Sequence, residues 1–83
     1  MRITLTQAML DALDRAVDKP DWLIAEVDRM KASGEPYGLP LGPEQSTALE
    51  ELCAMNIRFD ETGLVRPQHQ PLEDLSNLVM DNY

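Results

Sequence analysis

The chain has 83 residues and a mass of 9.4 kDa, the size of one small domain. Its hydrophobic fraction of 43% excludes wholesale disorder, and no apolar run approaches the roughly 20 residues that cross a bilayer. The net charge is −8, and the one cysteine, Cys53, excludes both an internal disulfide and a cysteine-based zinc site. The expectation is a soluble, cytoplasmic, mainly α domain spanning 1–83, held together by apolar packing without a cofactor.

The first amphipathic pattern runs over about 4–18. Leu5, Met9, Leu10, Ala12, Leu13, Ala16 and Val17 fill one arc of a helical wheel, opposite Gln7, Asp11, Asp14, Arg15 and Asp18. Thr4 or Thr6 can cap its start, and Lys19-Pro20 ends it, because the residue before proline is pushed out of helical geometry. Pro20 opens a second helix over 20–33 with Leu23, Ile24, Val27 and Met30 inward, closed by Gly34. Two helices joined around a proline read as an antiparallel helical hairpin.

Residues 34–43 hold three glycines and three prolines, which no helix or central strand survives. They read as an extended connector, although Tyr37, Leu39 and Leu41 alternate along it as if to pin it to the core. Pro43 opens a third helix over about 43–56, with Ala48, Leu49, Leu52, Cys53 and Met55 inward. The period then changes to alternation around Asp60-Glu61-Thr62-Gly63, which predicts a short β-hairpin over about 57–66. Pro71 starts a last helix over about 71–80, with Leu72, Leu75, Leu78 and Val79 inward.

Catalytic chemistry finds little footing. His69, the only histidine, stands in a loop without a cysteine or carboxylate at metal-ligand spacing, and Cys53 falls on an apolar stripe as a buried small hydrophobe. Asp60-Glu61-Thr62-Gly63 lacks the alternating oxygens and closing glutamate of a calcium loop and reads as a turn. These patterns argue against an enzyme and against a metal site.

Charge is the informative feature. Residues 1–33 hold six acids against five bases, whereas residues 34–83 hold nine against two. A surface so poor in Lys and Arg repels nucleic acid and anionic lipid, so the expected partner is a basic protein. Arg2-Ile3-Thr4-Leu5 ahead of an amphipathic helix resembles the start of a ribbon–helix–helix repressor, whose strand pairs with a second copy on DNA. A lone Arg2 and a charge of −8 are the wrong electrostatics for that role. A winged-helix reading of 43–66 meets the same objection, since the recognition helix would carry Glu44, Glu50 and Glu51.

Glu44, Glu50, Glu51, Asp60, Glu61, Glu73, Asp74 and Asp81 are therefore the candidate partner-binding carboxylates, arrayed somewhat like phosphates on DNA. Trp22, on the polar side of the second helix, is either an apolar anchor or a cover for the 34–43 connector or for Tyr83. In size and charge the chain is similar to phage-encoded inhibitors of host nucleic-acid machinery, anti-CRISPR proteins among them, and to immunity proteins for toxins. The likeness implies an inhibitor that mimics DNA and blocks a basic, nucleic-acid-binding surface. The alternative is a structural or adaptor subunit of a homodimer or larger assembly, its acidity serving only solubility.

Overall fold

A computed structural model describes residues 1–82. The elements run β1 (Arg2–Leu5), α1 (Gln7–Arg15), α2 (Asp21–Ser33), β2 (Tyr37–Pro40), α3 (Pro43–Asn56), a 3₁₀ turn (Pro67–His69) and α4 (Gln70–Asp81). The fold is mainly helical, with four α-helices and a two-stranded antiparallel sheet.

The sheet is the main departure from the sequence reading. Residues 2–5 do not begin the first helix; they pair with β2 in the register Arg2↔Pro40, Ile3↔Leu39, Thr4↔Gly38 and Leu5↔Tyr37. Ile3, Leu5, Tyr37 and Leu39 point inward and are buried, while Arg2, Thr4 and Pro40 point out. The period of two, and not of 3.6, governs this stretch. The ladder continues past the strands, since Leu41 N donates to Met1 O at 2.7 Å and Met1 N donates to Leu41 O at 2.8 Å. Hydrogen-bonded and non-hydrogen-bonded pairs alternate in an antiparallel sheet, so Pro40 occupies a position whose nitrogen faces away from β1 and needs no N–H. That is how a proline-rich connector can still hold a strand. The strand that resembles a repressor ribbon thus finds its partner inside its own chain.

The outer edge of β2 is closed by α2. Arg29 Nη2 donates to Gly38 O at 2.7 Å, and Gly38 N donates to Pro36 O at 3.1 Å. The Arg2 guanidinium lies where a Cβ on Gly38 would sit, so glycine leaves room for it.

Thr6 caps α1, its Oγ1 accepting from Met9 N at 3.1 Å. The helix ends at Arg15, three residues before the sequence reading places its end. Ala16 turns extended, Asp18 adopts φ +62°, and Lys19 Nζ donates to the carbonyls of Asp14 and Ala16 at 2.8 and 2.7 Å. Val17, assigned inward by the wheel, is consequently 61% exposed. Asn56 fastens this bend to α3: its Oδ1 accepts from Val17 N at 2.9 Å, and its Nδ2 donates to Val17 O and Leu52 O at 3.3 and 2.9 Å.

α3 begins at Pro43 as read, and α2 begins at Asp21, one residue later than read, with Pro20 as its N-cap and Gly34 as its C-cap. Ile24 and Met55, expected inside, are exposed, because the core takes only the stripes Leu23/Val27/Met30 and Leu49/Leu52/Cys53. The end of α3 and the start of α4 meet around Asn56, Gln68, His69 and Leu72. The start of α3 and the end of α4 meet around Pro43, Ser46 and Asn82, so the two helices run antiparallel. α1 packs more extensively on α4 than on α2. The expected β-hairpin over 57–66 is reduced to a turn with one antiparallel bridge, Phe59↔Val65. One apolar cluster draws side chains from both strands and all four helices.

Candidate functional site

The candidate carboxylates line the outer surfaces of α3, α4 and the turn between them. Glu44 and Glu51 are two helical turns apart on the face of α3 opposite Ser46, Leu49 and Cys53, and both are exposed. Glu50, on the flank of the same helix, is half-buried. On α4, Asp74 and Asp81 are likewise seven residues apart and exposed, and Glu73 is half-buried. Because the helices are antiparallel, Glu44 and Asp81 lie at one end of the pair, with Asp74, Asp60 and Glu61 toward the other. Gln70 Nε2 donates to Glu73 and Asp74 at 3.4 and 3.0 Å.

The two arginines of this half bond backbone carbonyls, and Arg66 also lies close enough to Asp60 to act on its charge. Arg58 Nη1 donates to the carbonyls of Met55 and Ile57 at 2.7 and 3.3 Å, and Arg66 Nε donates to Phe59 O at 3.3 Å. Among the described residues, the ion pairs Arg29–Glu26 (2.6 Å) and Lys31–Asp14 (3.2 Å) lie within residues 1–33. The imbalance visible in the composition is thus carried into three dimensions.

Asp60 differs from the other acids. Its Oδ1 accepts from Thr62 N at 2.8 Å, Thr62 Oγ1 at 2.6 Å and Leu64 N at 3.1 Å. The Thr62 side-chain hydrogen bond first, then the Leu64 amide, holds the carboxyl below the usual carboxylate range. A carboxyl with a depressed value in the fold supports the turn above the unfolded value and releases it as pH falls through the folded one. The Thr62 and Leu64 amide resonances are therefore expected to hold steady down to about pH 4 and move only below it. A midpoint above that range would show that the turn does not use the carboxylate.

Trp22 is half-buried against the core. It lines a groove of about 390 Å³ with Met1, Glu26, Pro40, Leu41, Gly42 and Gln45, and so covers the end of the 34–43 segment. The second cover considered for it, Tyr83, lies outside the described residues. Large apolar side chains stand out elsewhere: Phe59 is 59% and Leu64 68% exposed, on either side of Asp60-Glu61. The alternating pattern of the turn signalled an apolar face there, but nothing local says whether such a face is covered.

His69 does structural work, its Nδ1 accepting from Arg58 N at 2.9 Å and tying the turn to the start of α4. Beside it a cavity of about 110 Å³ is lined by Arg15, Asn56, Gln68 and Leu72. Burial first, and the Glu50 charge second, push the Cys53 thiol up to about 12. Among the described residues, no group of three His, Cys, Asp or Glu side chains is placed to hold a metal ion, and no helix is long and apolar enough to cross a membrane. No protein-family model, curated protein or solved structure matches the chain.

Outward carboxylates crowded on one half of a small fold repel one another, and salt screens that repulsion. Raising sodium chloride from about 20 mM to about 500 mM is expected to raise Tm by a few degrees. A Tm that falls with salt would mean that the two ion pairs outweigh the repulsion.

Proposed function

We propose that the chain is a small, cytoplasmic, non-enzymatic binding protein that occupies a basic surface of another protein and blocks it, the surface being one that otherwise holds nucleic acid. The observation that carries this reading is the disposition of charge in the α3–α4 half. Glu44, Glu51, Asp74 and Asp81 face outward, while Arg58 and Arg66 are folded onto backbone carbonyls. Acids in that arrangement steer a Lys/Arg groove into encounter and compete with phosphate for it. The role matches that of phage-encoded inhibitors and immunity proteins, to which the composition is similar.

The test is capture from a lysate of the source cell or its host on the immobilised protein, eluted by salt and identified by mass spectrometry. The expected result is a nucleic-acid-binding protein that leaves at high salt. It should also be lost when Glu44, Glu51, Asp74 and Asp81, all exposed, are changed to Lys in a variant whose circular dichroism shows the parent fold. Capture indifferent to both salt and charge reversal would overturn the reading and leave the acids a solvated face, as in an assembly subunit.

A further inference from the structure

We infer that the 57–66 turn is the apolar anchor of this protein, a preformed finger whose Phe59 and Leu64 side chains enter an apolar pocket rimmed by lysine or arginine on the partner. The basic rim rests on the function proposed above; the anchor rests on a separate observation. Of residues 57–66 only Ile57, at the base and partly buried, packs against the core, while Phe59 and Leu64 farther out are exposed. Phe59 is the chain's one phenylalanine, and with Leu64 it is more than half exposed.

The turn nevertheless has a fixed shape. Asp60 N donates to Leu64 O at 2.8 Å, Gly63 N to Asp60 O at 3.1 Å and Arg66 N to Arg58 O at 3.0 Å. Gly63 takes φ +84°, a value that disfavours any side chain, and the Asp60 carboxylate ties down Thr62 and Leu64 from within. Arg58 N is anchored on His69. A rigid loop that exposes an aromatic and a leucine loses little entropy when both are buried by a partner, which is the character of an interface hot spot.

Charge selects the occupant. Asp60 and Glu61 stand between the two apolar side chains; Arg58 bonds carbonyls at the base and Arg66 lies near enough to Asp60 to act on its charge, so Glu61 is what leaves the tip negative. A second copy of a −8 chain meets it with like charge; a pocket edged by Lys or Arg meets it with opposite charge.

The experiment uses the protein identified in the capture above, purified, with affinity and dissociation rate measured at about 50 mM and 500 mM salt. Phe59→Ser with Leu64→Ser, both at exposed positions, is expected to weaken binding about 100-fold at either salt through faster dissociation. Glu61→Lys is expected to weaken it about tenfold, at low salt alone. Asp60→Ala, which keeps both apolar side chains and frees the turn, is expected to weaken it about tenfold. Unchanged affinity for the double serine variant overturns the anchor, as does capture of nothing but the chain itself. The two proposals fail separately. Loss on reversal of the four helix acids with no effect of the serine variant keeps the basic-surface reading and removes the finger; the opposite pattern keeps the finger and removes the electrostatic reading.

Discussion

Leu39→Ala is expected to cost about 2–5 kcal/mol, a large part of the roughly 4–12 kcal/mol that holds a chain of this length folded. Leu39 lies in the centre of β2, paired with Ile3, and is fully buried in the common core. Its removal deletes an apolar side chain and leaves a cavity that the short sheet cannot close, because β2 is fixed on one side by β1 and on the other by Arg29 on Gly38 O. Urea denaturation reads the loss as a fall in midpoint with an unchanged slope. Pro40→Ala, one residue on, places its new N–H away from β1 and is expected to change stability by less than about 1 kcal/mol. Were Leu39→Ala as mild as Pro40→Ala, residues 34–43 would be a tether and the sheet an accessory.

That contrast marks where the sequence was readable and where it was not. Helix boundaries set by local chemistry were legible: Pro20, Gly34 and Pro43 act through their own backbone and fall where they were read. The sheet was not, because its two strands lie more than thirty residues apart and neither is long enough to declare itself. The alternation of Tyr37, Leu39 and Leu41 was visible, but nothing near it names Ile3 and Leu5 as its partner. Leu5 could be enrolled in a helical stripe as readily as in a strand. Val17, Ile24 and Met55 failed for a related reason. A wheel gives the direction of a side chain and not the width of the surface that will cover it, and here α1 ends early while α2 and α3 bury narrow stripes.

The candidate site divides along the same line. The excess of acid after residue 34 is plain in the sequence, and the fold exposes Glu44, Glu51, Asp74 and Asp81 while half-burying Glu50 and Glu73. That Asp60 serves its own turn, that Arg58 and Arg66 serve carbonyls, and that Trp22 closes a seam while Phe59 and Leu64 stand free are facts of three-dimensional neighbourhood. The sequence left Trp22 as either an anchor or a cover; the fold half-buries it beside the 34–43 segment and exposes Phe59 and Leu64.

Cys53 supplies the second large effect. Its thiol is fully buried on the inner face of α3, and desolvation, with the Glu50 charge behind it, pushes it up to about 12. The thiolate is the reactive form, so at pH 8 only about one molecule in 10⁴ carries it, and alkylation is expected to run roughly a thousand-fold slower than for a free cysteine. The same shift couples to stability. A group whose value is raised by folding supports the fold below its unfolded value, near 9.0, and withdraws that support as pH rises toward about 12. Stability should therefore fall across that alkaline window, and Cys53→Ala should flatten the fall, relative to the parent chain, because tyrosine and lysine titrate equally in both. Labelling that accelerates exponentially with urea would place reaction in the globally unfolded chain. Labelling at a free-cysteine rate without urea would mean that α3 lifts from the core on its own, and the acids it carries would then sit on a mobile support and not on a rigid one.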